Sequence, residues 1–84
     1  MNIIKKIEID VFDDDIKPGM VFKLTTRHAS ENIIVMRVSS DRTYLEYVRI
    51  VIRNGEHYID TCYVSASDIS SGDTTLTPLV PASK

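Results

Sequence analysis

The sequence predicts an all-β domain, a small antiparallel barrel or roll of five to six short strands, on three observations. Apolar residues recur with period two along most of the chain, and no segment sustains the i, i+3, i+4, i+7 spacing of an amphipathic helix. One dipeptide, Asn54-Gly55, also stands between two long alternating runs, the strongest short-range signal of a hairpin. At 84 residues the chain is long enough for one core and too short for two. Residues 1–84 are therefore read as one domain, with an ordered core over about residues 3–80 and a tail over 81–84.

The first strand is expected over Lys6–Phe12, with Ile7, Ile9 and Val11 on one face and Glu8 and Asp10 on the other. It stops at Asp13-Asp14-Asp15, whose carboxylates repel along an extended ladder and favour a solvated turn. Lys17-Pro18-Gly19-Met20 is a turn with a mechanism: Pro presets φ at the second position, and Gly tolerates the positive φ that a type II turn requires at the third. The strand that follows alternates Met20, Phe22 and Leu24 with Val21, Lys23 and Thr25. The third, Ile33–Val38, is apolar on nearly every position, which predicts cover on both faces.

The Asn-Gly turn fixes the register of the next two strands, because a two-residue type I′ loop leaves only one pairing. Arg53 should oppose Glu56, Val51 Tyr58, Ile50 Ile59, Arg49 Asp60 and Tyr47 Cys62. Val48, Ile50, Ile52 and Ile59 then share an apolar face expected to join the core, and Arg49, Val51, Arg53, Tyr58 and Asp60 share a mixed face expected to be wet near the turn. Ser65–Gly72 reads as a loop with a single helical turn capped by Ser67. Thr74–Val80 reads as a last strand that Pro78 confines to an edge or an end.

The run Ile16-Lys17-Pro18-Gly19-Met20-Val21-Phe22 resembles the opening turn and strand of many SH3-like barrels, among them translation elongation factor P and the MazF-type toxins. It implies an SH3-like or OB-like barrel, and no functional residue comes with it. Closure of such a barrel would remove most exposed edges.

Composition excludes several classes of function. The chain is 43% hydrophobic and 26% charged with a net charge of −2, the profile of an ordinary globular protein. No run approaches the length of a membrane span, so no membrane association is expected. The single cysteine, Cys62, rules out an intramolecular disulfide and suits a reducing, cytoplasmic setting. Asp13-Asp14-Asp15 with Asp10 lacks the alternate spacing, central Gly and terminal Glu of a calcium loop. His28, His57 and Cys62 fall short of the four ligands of structural zinc. Gly19, Gly55 and Gly72 are isolated, so no phosphate-cradling loop is indicated, and no serine elbow accompanies the Ser, His and Asp residues present. The expectation is a protein that is not an enzyme and uses neither metal nor cofactor.

Recognition is the remaining reading. Tyr44, Tyr47, Tyr58 and Tyr63 interleave with Arg42, Arg49 and Arg53, residue types enriched at protein interfaces. Tyr44, Tyr47, Tyr58, Arg42, Arg49 and Arg53 are the candidate interaction face of a protein-interaction module or small regulatory subunit, whose partner is another protein or a second copy of the chain. Residues 17–53 carry seven basic side chains against three acidic, so single-stranded nucleic acid is the alternative, although an isoelectric point near 5.5 supplies no general attraction to a polyanion. Small-ligand binding in a barrel mouth or between protomers is the third reading.

Overall fold

The computed structural model describes residues 2–80, and the tail expected over 81–84 lies outside the described residues. In chain order the elements are β1 (Ile4–Lys6), β2 (Asp10–Phe12), β3 (Val21–Thr25), β4 (Ser30–Val38), β5 (Tyr44–Arg53), β6 (Glu56–Ser65), α1 (Ala66–Ser70) and β7 (Thr75–Pro78). β1 and β2 pair as a small antiparallel sheet, and the other five strands form an antiparallel sheet in the order β6-β5-β4-β3-β7. The domain is mostly β, with β6 and β7 at the two edges of the larger sheet.

The Asn-Gly turn behaves as its chemistry requires. Asn54 and Gly55 both adopt positive φ, 52° and 79°. All ten residues of β5 pair with all ten of β6 in the expected register, from Arg53 opposite Glu56 to Tyr44 opposite Ser65. At Lys17–Met20, Gly19 has φ 93° and the Met20 N–H donates to the Lys17 carbonyl at 3.3 Å, the closing bond of a turn. α1 is capped by Ser65 rather than Ser67: the Ser65 hydroxyl accepts from the Asp68 N–H at 3.1 Å.

The N-terminal strand is the first correction. Lys6–Phe12 is not one strand, because the chain reverses between Lys6 and Asp10 and sets Ile4 opposite Phe12. The reversal buries Phe12 completely and leaves Ile7 and Ile9 exposed at the bend, so of the three residues expected on an apolar face only Val11 is buried. An alternation over seven residues fits a strand and a tight hairpin equally well, and burial of Phe12 decides between them.

The core lies on one side of the larger sheet. Phe22 and Leu24 of β3, Ile33 and Val35 of β4, Leu45 and Tyr47 of β5, Val64 of β6 and Leu76 of β7 face Phe12, Ile16 and Ala66. Burying a side chain such as Phe12 or Phe22 contributes about 2–3 kcal/mol. The β1–β2 hairpin and α1 provide the cover, and α1 packs against both β1 and β2. Arg42 fastens this cover to the sheet. Its Nε donates to the Phe12 carbonyl at 3.0 Å, and its Nη2 donates to the carbonyls of Ile16, at 2.9 Å, and Asp13. The backbone joins in, with the Phe12 N–H donating to the Arg42 carbonyl at 2.7 Å.

Candidate functional site

One short hairpin and one helical turn can cover only one face of a five-stranded sheet, and which face follows from strand parity. Leu45 and Tyr47 point toward the cover, so Val48, Ile50 and Ile52 point away. This corrects the expectation that the Val48, Ile50, Ile52 and Ile59 face joins the core. Ile50, Ile52 and Ile59 are 68%, 64% and 79% exposed, and Ile34 of β4 is 51% exposed beside them. The same parity corrects β4, whose Ile33 and Val35 are buried while Ile34 and Met36 face water. The apolar outer face is continuous across four strands: Val21 opposes Ile34, Ile34 opposes Val48, and Ile50 opposes Ile59. An open groove of about 580 Å³ runs along it, lined in part by Val21, Ile34, Val48, Ile50, Ile52 and Ile59.

The polar residues of the outer face sit around this apolar field. Arg37, Glu46 and Tyr63 form a chain across β4, β5 and β6, in which Arg37 Nε donates to Glu46 Oε1 at 3.0 Å and the Tyr63 hydroxyl donates to Glu46 Oε2 at 3.3 Å. Lys23 lies on the opposite flank, between Asn32 and Thr77 in the ladder, and makes no ion pair with any described residue.

The six residues expected as one interaction face are distributed over three environments. Tyr47 is 7% exposed and belongs to the core, where burial, with smaller contributions from neighbouring Cys62 and Glu31, pushes its hydroxyl up to about 12. Arg42 is occupied in the clasp between Ser39 and the N-terminal hairpin, and adopts φ 61° there. Tyr44 is exposed on the outer face. Arg49, Arg53 and Tyr58 share the inner face of the hairpin, beyond the reach of the cover, which agrees with a wet mixed face near the turn.

On that inner face Arg49 is engaged from both sides. Its Nη1 meets both Glu31 oxygens at 3.0 and 2.8 Å, and its Nε and Nη2 meet Asp60 Oδ2 at 3.1 and 2.9 Å. The carboxylates raise the guanidinium further above its ordinary value, and Arg49 holds the Asp60 carboxyl below the usual carboxylate range. Tyr58 donates to Glu56 Oε1 at 2.6 Å, and that bond holds its hydroxyl above its usual value. The Cys62 thiol stands 3.8 Å from Asp60 Oδ2.

At the other end of the sheet, Thr25, Thr26, Arg27, His28, Gly72, Asp73 and Thr75 line an open polar groove of about 560 Å³. Among the described residues no three His, Cys, Asp or Glu side chains converge as a metal-binding group. No helix of the described residues is long and apolar enough to cross a membrane. Comparison of the chain with protein-family models, with curated proteins and with solved structures finds no match.

The outer-face residues escaped the sequence reading for a definable reason. Ile33-Ile34-Val35-Met36 is apolar on both parities, and in Val48 to Ile52 the one charged residue, Arg49, lies on the parity that the cover reaches, so the local signal points to the wrong face. The available signal is arithmetic: the segments left outside the long strands are too few to cover two faces.

Proposed function

We propose that the chain is a non-enzymatic protein-interaction module that docks an amphipathic helix of another protein on the outer face of its sheet. One observation carries this reading, the exposure of Ile34, Ile50, Ile52 and Ile59 on a single contiguous surface. Their exposed area with that of Val21 is on the order of 500 Å², at the upper end for the largest apolar patch on a monomeric protein. With its polar margin the face approaches the roughly 800 Å² per partner of a stable complex. Four strands span about 14 Å between the outermost axes, wide enough for a helix of about 10 Å diameter. Lys23 at one margin favours a partner whose flank is acidic.

Single-stranded nucleic acid draws less support, because Arg49 and Arg37 are already engaged by carboxylates and Tyr47 is buried. The roll or small SH3-like barrel expected from the strand count stands as a reading of how the β1–β2 hairpin closes over Phe12 and Phe22.

The test takes the complex that the chain forms in cells, purifies it, and measures its stoichiometry and the affinity of a peptide spanning the partner's contact segment. The parent is compared with Ile50→Ser/Ile52→Ser and with Tyr58→Ala on the inner face. A peptide that becomes helical on binding, a loss of about tenfold or more for the double serine variant and no change for Tyr58→Ala are expected. A complex that survives the serines, or fails at Tyr58→Ala instead, overturns the reading.

A further inference from the structure

The two edges of the larger sheet are built differently. β7 has four residues and ends in Pro78, which has no N–H to donate. β6 has ten residues, its pairing with β5 is uninterrupted, and it contains neither Pro nor Lys. Its two acidic residues lie on the inner face, and Arg49 already engages Asp60. Edges of folded domains are ordinarily blunted by bulges, prolines or charges, and β6 has none of these on its outer face.

Parity fixes which of its backbone groups are free. The Ala66 N–H donates to the Thr43 carbonyl at 2.8 Å, so the even-numbered residues of β6 point their backbone groups at β5. The N–H and C=O of His57, Ile59, Thr61 and Tyr63 therefore point away from the sheet, and no described strand pairs with them.

We infer that a second copy of this chain pairs with this edge, β6 antiparallel to β6, about a two-fold axis at Thr61. The register follows by elimination. A two-fold axis can pass through a residue whose backbone points outward or through one whose backbone points inward, and two of the inward centres are disfavoured for other reasons: centring on Asp60 sets two like charges opposite each other, and centring on Cys62 shortens the pairing to residues 59–65. Centring on Ile59 brings the Asn54-Gly55 turn against Tyr63 and shortens the pairing to residues 56–62. Centring on Tyr63 runs the ladder into α1, which begins at Ala66. Thr61 alone retains residues 57–65. In that register Ile59 lies beside Tyr63 of the partner subunit, an aromatic and β-branched pair, and Thr61 faces Thr61 of the partner subunit, while Asp60 meets no carboxylate. The contact uses the edge and leaves Ile34, Ile50 and Ile52 free, so it stands or falls independently of the docking proposed above.

The experiment is light scattering on the purified chain up to about 100 μM, a range that captures a micromolar dimer, combined with cross-linking by a short bismaleimide in a Cys62→Ser background. The parent is expected at twice the chain mass, Thr61→Lys at the monomer mass with unchanged circular dichroism, and Ile50→Ser at the dimer mass. Thr61→Cys should cross-link alone, whereas Ile59→Cys and Tyr63→Cys should cross-link only when mixed. A parent that stays monomeric, a Thr61→Lys variant that stays dimeric, or self-cross-linking at Ile59→Cys in place of Thr61→Cys overturns the inference.

Discussion

Removing the Arg42 side chain should unfasten the N-terminal hairpin from the sheet. The guanidinium donates to three backbone carbonyls, those of Phe12, Asp13 and Ile16, and two of these residues are completely buried core members. Hydrogen bonds from a charged donor are worth about 1.5–3 kcal/mol each, and three bonds from one group do not add in full. The side chain is 28% exposed, so water can reach part of what it leaves behind. Arg42→Ala should therefore destabilise the fold by about 2–4 kcal/mol, a fall in Tm of roughly 10–30 °C for a domain of this size. Backbone strain supplies an internal control. Arg42 holds φ at 61°, a conformation costing about 1–2 kcal/mol for a residue with a Cβ. Arg42→Gly loses the same three bonds and sheds that strain, so it should be less destabilised than Arg42→Ala by about 1 kcal/mol after glycine's own entropy cost. Urea unfolding followed by far-ultraviolet circular dichroism reads both variants. The reasoning is refuted if Arg42→Ala lies within about 0.5 kcal/mol of the parent, or if Gly at this position is no better than Ala.

Two further outcomes follow from titratable groups on the inner face. Because burial raises the Tyr47 hydroxyl to about 12, the neutral form is preferred in the folded chain. Its contribution is complete below the unfolded value near 10 and is lost as pH rises through the folded value; the parent should lose stability between pH 10 and 12 and Tyr47→Phe should not. Arg49→Ala leaves Glu31 and Asp60 facing each other without their cation, so Tm should fall by a few degrees at low salt and less at high salt. Since Arg49 holds the Asp60 carboxyl low, that contribution is present at neutral pH and disappears as pH falls below the ordinary carboxylate range. The parent and variant melting curves should converge in acid.

The parts of this fold legible in the sequence are those fixed by local stereochemistry. Asn54-Gly55 imposes positive φ at two consecutive residues, and the whole ten-residue register of β5 and β6 follows from that constraint. Pro18-Gly19 and Pro78 act in the same way on the turn before β3 and the end of β7. What was not legible is set by cover, which is a property of the whole chain. Ile50 and Leu45 are equally apolar, yet one is exposed and the other buried, because α1 and the β1–β2 hairpin reach only the parity of Leu45. Tyr47 and Arg42 entered the candidate face through residue type, and both are absorbed by structure. Arg42 carries no local signature at all, since its three acceptors lie 26 to 30 residues earlier in the chain.

The short β7 has a consequence for how far association through backbone edges can proceed. A growing stack of sheets needs two open ends on every unit, one to receive and one to offer. Here one end is closed by a four-residue strand ending in proline, and the other is open along ten residues. Strand addition at β6 would take up the long open edge of the larger sheet and leave, among the described residues, only the four-residue β7 edge of that sheet, which offers little backbone for a further copy to pair with.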